Sequence, residues 1–252
     1  MNVGILTDLT RCIGCGACAV ICKQTNELRG EIGTKLDAYT WTIVEQHDGV
    51  FVRRQCMHCE DPTCASVCPV GALYKTKFGA VTYDSSKCIG CRYCVMACPF
   101  DIPKYQWDSP VPIVGKCIMC TEKRLSRGRQ PACTEVCPTG ATIFGTRSAL
   151  LKEARRRIDE SPERYIRHIY GEREAGGTSV LYISAVAFDR LGFKAGLRPD
   201  SYPELTWRIL ETIPPVVGVG GAALFGLMWV INRRIEMKHR RLAEELEEED
   251  EE

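Results

Sequence analysis

The chain has 252 residues and a formal net charge of +1. That near-balance excludes the broad basic field of a nucleic-acid binder, and the length allows one or two compact domains. Sixteen residues are Cys, all between Cys12 and Cys137.

The cysteines fall in four groups of four. Group one is Cys12, Cys15, Cys18 and Cys22, and group two is Cys56, Cys59, Cys64 and Cys68. Group three is Cys88, Cys91, Cys94 and Cys98, and group four is Cys117, Cys120, Cys133 and Cys137. Disulfide frameworks scatter their cysteines to staple distant segments. Zinc ribbons use paired C-x-x-C units. Both patterns fit these bunches poorly. Group three reads C-x2-C-x2-C-x3-C-P, the bacterial ferredoxin run. Groups two and four keep the C-x3-C-P ending with Pro69 and Pro138, whereas group one has Lys23 where the proline would stand. Three closely spaced thiolates can wrap one 4Fe-4S cubane while the fourth serves a neighbouring cluster. Four groups therefore predict two two-cluster modules and four 4Fe-4S clusters, with all sixteen Cys as iron ligands. A domain of this kind depends on its iron for folding.

Taken in chain order, residues 4–76 and 80–146 read as two copies of one unit. Cys12-Ile-Gly-Cys15 matches Cys88-Ile-Gly-Cys91, with Asp8 and Asp84 ahead of them. Cys64-Ala-Ser-Val-Cys68-Pro-Val-Gly-Ala matches Cys133-Thr-Glu-Val-Cys137-Pro-Thr-Gly-Ala. Each C-x3-C interval is expected on a helical turn. Ala72–Lys77 and Ala80–Tyr83 are expected as a hairpin about Phe78-Gly79, and Ala141–Gly145 as a short strand. Ile13, Ile89, Val67 and Val136 are expected to pack against the clusters. His58 could hydrogen-bond a sulfur, although a space-filling role is its default reading. Lys123 and Arg124 could offset cluster charge, which is about −2 for each oxidised four-thiolate cubane. Spacing leaves open which groups share clusters: one with two and three with four, or one with four and two with three.

Leu150–Arg157 and Glu163–Arg173 form a basic stretch expected to be helical, either as a solvated face or as a docking element. Gly176-Gly177-Thr-Ser-Val-Leu-Tyr-Ile reads as a turn into a strand. Ile213 to Ile231 is uncharged. As a helix it spans roughly 28 Å, near the thickness of the bilayer core. Gly218, Gly220, Gly221, Ala222, Ala223 and Gly226 are the small residues that let membrane helices approach closely. Pro214 and Pro215 fit a first helical turn. Arg233, Arg234, Lys238, Arg240 and Arg241 follow, which puts the C-terminus in the cytoplasm and the cysteine domain in the periplasm. Residues 1–11 carry no basic region, apolar core or twin-Arg stretch. Either the cysteine domain is cytoplasmic, or, as the periplasmic reading expects, it crosses already folded with a partner that bears the signal. The glutamate-rich tail from Glu244 is expected as a solvated helix end or as disordered chain.

The sequence resembles the four-cluster, ferredoxin-like electron-transfer subunits of membrane-bound respiratory oxidoreductases, of the hydrogenase-2 and formate dehydrogenase N type. The resemblance rests on Arg11-Cys-Ile-Gly-Cys, Gln55-Cys-Met-His-Cys-Glu-Asp-Pro, Cys88-Ile-Gly-Cys-Arg-Tyr-Cys, Cys98-Pro-Phe-Asp-Ile-Pro-Lys and Cys137-Pro-Thr-Gly-Ala. It extends through Ile143-Phe-Gly-Thr-Arg and Tyr170-Gly-Glu-Arg-Glu-Ala-Gly-Gly-Thr. It implies the nested pairing, with clusters on Cys12/Cys15/Cys18/Cys137, Cys22/Cys117/Cys120/Cys133, Cys56/Cys59/Cys64/Cys98 and Cys68/Cys88/Cys91/Cys94. It also implies a non-catalytic carrier between a hydrogenase- or formate-dehydrogenase-type catalytic subunit and a membrane cytochrome b or quinone-linked subunit. The same carrier in a polysulfide- or sulfoxide-type reductase is an alternative. A zinc- or disulfide-stabilised binding module is a remote one. No P-loop, dinucleotide turn or Ser/His/Asp constellation stands out. The expected class is α+β: two ferredoxin-like double-cluster modules with short hairpins and helical turns, plus one transmembrane helix. The expected divisions are residues 1–148 for the cluster domain, 149–205 for a partner-docking extension, 206–235 for the anchor and 236–252 for the charged cytoplasmic tail.

Overall fold

The computed structural model describes the backbone of residues 2–250 and the side chains of residues 2–241. In chain order the elements are β1 (Val3–Asp8), α1 (Ala17–Asn26), β2 (Ile43–His47), β3 (Val50–Arg54), α2 (Thr63–Ser66), β4 (Leu73–Lys75) and β5 (Val81–Tyr83). They continue with α3 (Tyr93–Ala97), β6 (Lys104–Tyr105), β7 (Val114–Gly115), α4 (Ala132–Glu135), β8 (Thr142–Thr146), α5 (Arg147–Glu160), β9 (Val180–Ile183), α6 (Tyr202–Leu210) and α7 (Ile213–Asp250). The chain divides after Pro203 into two units. The class is α+β, as the cysteine pattern and the apolar C-terminal stretch imply.

The first unit is built on a three-stranded sheet of order β8-β1-β9. Strand β1 runs antiparallel to β8 and parallel to β9, with Ile5 opposite Val180 and Thr7 opposite Tyr182. The period-2 alternation of strands splits its apolar residues between two faces. Leu6, Leu181 and Ile183 pack on Leu150, Ala154 and Ile158 of α5. Ile5, Val180 and Tyr182 face the cysteine region with Val52, Met57, Met119 and Cys133. The remaining strands form three hairpins, β2-β3, β4-β5 and β6-β7. Helix α1 packs on α4, and α2 packs on α3.

The expected hairpin over residues 72–83 is β4-β5, and the expected strands after residues 141 and 177 are β8 and β9. Glu163–Arg173 is not helical. Pro162 follows the end of α5, where a helix cannot readily continue. The chain beyond it is drawn onto the sheet instead, as Tyr170 and Tyr182 exchange backbone hydrogen bonds of 3.0 and 2.9 Å. Residues after 148 thus complete the sheet through β9. Ile13 and Ile89 are 59% and 65% exposed, and Ile13 lines the cavity of Cys12, Cys15, Cys18 and Cys137. Each precedes a glycine at φ 72°, and the Gly90 amide donates to Cys88 Sγ at 3.4 Å.

Asp8 ties β1 to α5. Its carboxylate is fully buried and accepts from Arg157 Nη1 at 3.0 Å, Tyr165 Oη at 2.8 Å and Thr10 Oγ1 at 2.7 Å. These contacts close the start of the cysteine region against the helix behind the sheet.

The second unit contains α7, which carries Pro214 and Pro215 in its first turn. Residues Tyr202–Arg241 are long and apolar enough to cross a membrane. Val216, Val219, Leu224, Phe225 and Trp229 are all more than 60% exposed. Helix α7 continues to Asp250, and the side chains of the glutamate-rich tail lie outside the described residues.

Replacing Arg157 by Ala leaves the buried Asp8 with only the more exposed Arg11, at 3.4 Å, as its cation. The expected loss is about 1–3 kcal/mol of stability, measured by denaturant unfolding of the iron-loaded chain.

Candidate metal centre

All sixteen cysteines are free thiols. Short helices present the third cysteine of each group: Cys18 on α1, Cys64 on α2, Cys94 on α3 and Cys133 on α4. The proline after the fourth cysteine stops these turns and starts a loop whose amides turn back on the sulfur. At Cys68, burial pushes the thiol up, but the amides of Leu73, Val70, Ala72 and Gly71 outweigh it and the net shift is downward. Ala72 N–H donates to this sulfur at 3.2 Å. Cys137 repeats the device: burial raises it, and the amides of Thr142, Thr139 and Ala141 with the Thr139 hydroxyl bring it down. Gly71 and Gly140 make the turn possible at φ 62°, a region costly for most side chains. In the third copy Asp101 stands there at φ 53°.

Group one departs from this plan for a reason visible in its sequence. With Lys23 in place of proline, α1 runs on for another turn to Asn26. No amide loop forms over Cys22, and Asn26 Nδ2 donates to its sulfur at 3.6 Å. Cys22 is pushed up to about 12, first by burial and then by Cys133 and Cys120.

The thiols are also close enough to act on one another. Burial is the first cause of each upward shift, and like charge comes next. Cys12 is raised by Cys137 and Cys15. Cys22 and Cys117 are both raised by Cys133. Cys59 is raised by Cys56, Cys98 and Cys64. Cys94, pushed up to about 11, is raised by Cys88, Cys68 and Cys91. One cavity is lined by Cys12, Cys15, Cys18 and Cys137. Like charge also acts between Cys18 and Cys133, Cys117 and Cys56, and Cys64 and Cys94. Cys15 and Cys91 are the two exposed cysteines.

Three buried polar side chains stand among these cysteines. His58 is fully buried; its Nδ1 accepts from Val81 N–H at 2.9 Å, and its Nε2 lies 3.5 Å from Cys117 Sγ. An imidazole that accepts at Nδ1 carries its proton on Nε2. Burial, with Lys116 and Lys75 nearby, pushes the ring well below its ordinary range, so it is neutral and donates to the sulfur. The space-filling reading of His58 is therefore corrected. Lys116, 2% exposed, donates to Val81 O at 2.5 Å and Cys117 O at 3.0 Å. Arg53, also 2% exposed, lines the Cys12/Cys15/Cys18/Cys137 cavity and leaves Nη1 without a partner. Buried cations without carboxylates require another anion. A polynuclear iron site with four thiolates is anionic, and the free donors, the amides aimed at sulfur and the grouped thiols all fit it.

The 4Fe-4S dicluster domain family matches residues 47–147 and, as a second related domain, residues 11–72. The hydrogenase-2 operon protein HybA of Escherichia coli O157:H7 is 38% identical over 75% of this chain and 72% of its own length. The iron-sulfur subunit of the nitrate-inducible formate dehydrogenase of Escherichia coli K12 is 38% identical over 72% and 68%. The formate dehydrogenase-O iron-sulfur subunit of that strain is 36% identical over 89% and 80%. The chain belongs to the ferredoxin-like iron–sulfur electron-transfer subunit family. It is of hydrogenase and formate dehydrogenase type.

Within that family frame, the residues that spacing could not flag are the buried cations. Arg53 and Lys116 sit in strand-like stretches where their charge reads as a solvated face. A charged residue inside an apolar strand pattern (Val50, Phe51 and Val52 ahead of Arg53) was the available signal. Asn26, four residues after Cys22, was legible only as a helix end. Of the two cations named beforehand, Lys123 pairs with Glu27 at 2.6 Å, whereas Arg124 pairs with Glu135 and also lies in the field of Cys120.

Replacing His58 by Leu orphans the Val81 amide and removes the donor to Cys117. Unfolding should show a loss of about 1–3 kcal/mol with iron content retained. Chelating the iron under reducing conditions should abolish the fold of residues 2–203, because the buried thiols lose their common partner. Limited proteolysis reads this as loss of the resistant core fragment.

Proposed function

We propose that the chain is a non-catalytic relay subunit holding four 4Fe-4S clusters between a catalytic subunit and a membrane partner. The ligand sets are Cys12/Cys15/Cys18/Cys137, Cys22/Cys117/Cys120/Cys133, Cys56/Cys59/Cys64/Cys98 and Cys68/Cys88/Cys91/Cys94. Such clusters, when bound, supply reversible one-electron transfer at potentials set by their surroundings. The protein's part is to hold sulfur, exclude water and place donors. Amide loops at Cys68 and Cys137, Asn26 at Cys22 and His58 at Cys117 each direct an N–H toward a thiolate. Such contacts raise potentials, and burial of negative charge lowers them.

What supports this reading is the order in which thiols of the proposed sets act on one another, Cys18 on Cys133, Cys117 on Cys56 and Cys64 on Cys94, with Cys15 and Cys91 exposed in the first and last sets. A store of metal or a structural staple has no need of a row. A carrier between two partners has, with one exposed end for each. The names of the relatives point to a hydrogenase- or formate-dehydrogenase-type catalytic partner. The apolar stretch of α7 and its basic flank favour a single membrane span with the cluster domain in the periplasm and the C-terminus in the cytoplasm. A cytochrome b or quinone-linked membrane subunit is the natural acceptor for such an arrangement, in anaerobic respiration.

The test uses the complex purified from native membranes. About sixteen iron atoms per chain are expected for four cubanes, together with co-purification of a catalytic subunit and reduction of quinone by hydrogen or formate. A content near four sinks the relay. Protease added to sealed, right-side-out spheroplasts should release the resistant cluster domain from the membrane and spare the C-terminal tail; loss of the tail with the cluster domain still attached overturns the sidedness.

A further inference from the structure

Arg53 is the one of the three buried polar groups whose protein contacts leave it incomplete. Its Nε donates to Thr42 Oγ1 at 3.1 Å and its Nη2 to Gln55 Oε1. Nη1 is buried and unpartnered. Lys116, by contrast, is served by two carbonyl oxygens. The adjacent Arg54 has a carboxylate, Glu45, at 3.0 Å, and stacks on Phe193 at 4.3 Å. The acidic groups that act on Arg53 are Cys133, Cys18, Tyr182 and Cys117. Cys18 belongs to the first quartet, and Cys133 and Cys117 to the second. The side chain also lines the cavity of the first quartet.

We propose that Arg53 is the shared counter-cation of two neighbouring cluster sites, Cys12/Cys15/Cys18/Cys137 and Cys22/Cys117/Cys120/Cys133. Its free Nη1 donors serve the first site, and its charge raises the reduction potential of both. The inference rests on the relay reading given above. A guanidinium keeps its charge at every accessible pH. Each one-electron reduction adds a negative charge to a site, and a fixed cation in a low-dielectric interior stabilises that added charge over the distance to both sites. One side chain thereby acts on two neighbouring sites at once. A merely structural arginine would hold Thr42 and Gln55 in place and leave potentials alone.

The experiment is a potentiometric titration, followed by electron paramagnetic resonance, of the full chain in its iron-loaded complex. Arg53→Gln is expected to shift two of the four clusters by about tenfold or more in the reduction equilibrium, 59 mV lower for one electron, while the other two stay. Arg54→Gln is expected to move none. Unchanged potentials in a fully loaded Arg53→Gln chain overturn the proposal. Should that variant fail to take up iron, the unmutated chain decides. With nitrogen-15 confined to arginine side chains, pulsed resonance of a reduced cluster should show an arginine-nitrogen coupling that disappears in Arg53→Lys. Its absence in the unmutated chain overturns the proposal. A wild-type iron content far below about sixteen instead overturns the relay reading itself.

Discussion

A thiolate taken out of water is tolerable only beside positive charge or hydrogen-bond donors, and the interior of residues 2–203 is arranged around that condition. Apolar contacts alone could not satisfy it. The sheet, the three hairpins and the four short helices bring thiols into close groups, where burial and mutual repulsion push most of them upward. What answers the repulsion comes from the same chain: amides after Cys68 and Cys137, the Asn26 side chain, the His58 ring, and the two buried cations. Stability and function therefore share one set of groups. The residues that make the core tolerable with iron present also shape the environment of that iron.

The two internal copies show how one residue redirects local structure. Where proline follows the fourth cysteine, the helix stops and a loop of amides supplies the donors. Where lysine follows it, the helix continues and a side chain takes over. Lys23 is drawn away to Arg29 O and Tyr39 O at 2.9 and 3.0 Å, so its charge closes a neighbouring loop. The duplication is thus approximate where it matters chemically. Four sites of the same nominal composition have four different surroundings.

Much of this was legible in the sequence because cysteine spacing is a local signal. Groups, helical turns, the hairpin at Phe78-Gly79 and the strand after Gly177 all follow from residues a few positions apart. The helix expected over Glu163–Arg173 failed because a sheet contact between Tyr170 and Tyr182 outweighed local charge patterning. The burial of Arg53 and Lys116, and the choice between donor and filler at His58, depend on chain more than twenty residues away. Their partners at Cys117, Val81 and Cys18 become neighbours only once the fold has closed.

The parallel pairing of β1 with β9 has a consequence for the order of synthesis. Strand β1 is made before every other strand of its unit, and its partner Val180–Ile183 comes near the end of the same unit. Contacts that span so much chain close late and slowly. Until then the hydrophobic face of β1 and the cysteines just after it are without their cover, a state prone to misassembly. The inner groups, by contrast, lie between Cys56 and Cys98 and can come together while the rest is still being made. The unit is then expected to be completed from the middle outward, with β1 among the last of its strands to be locked in.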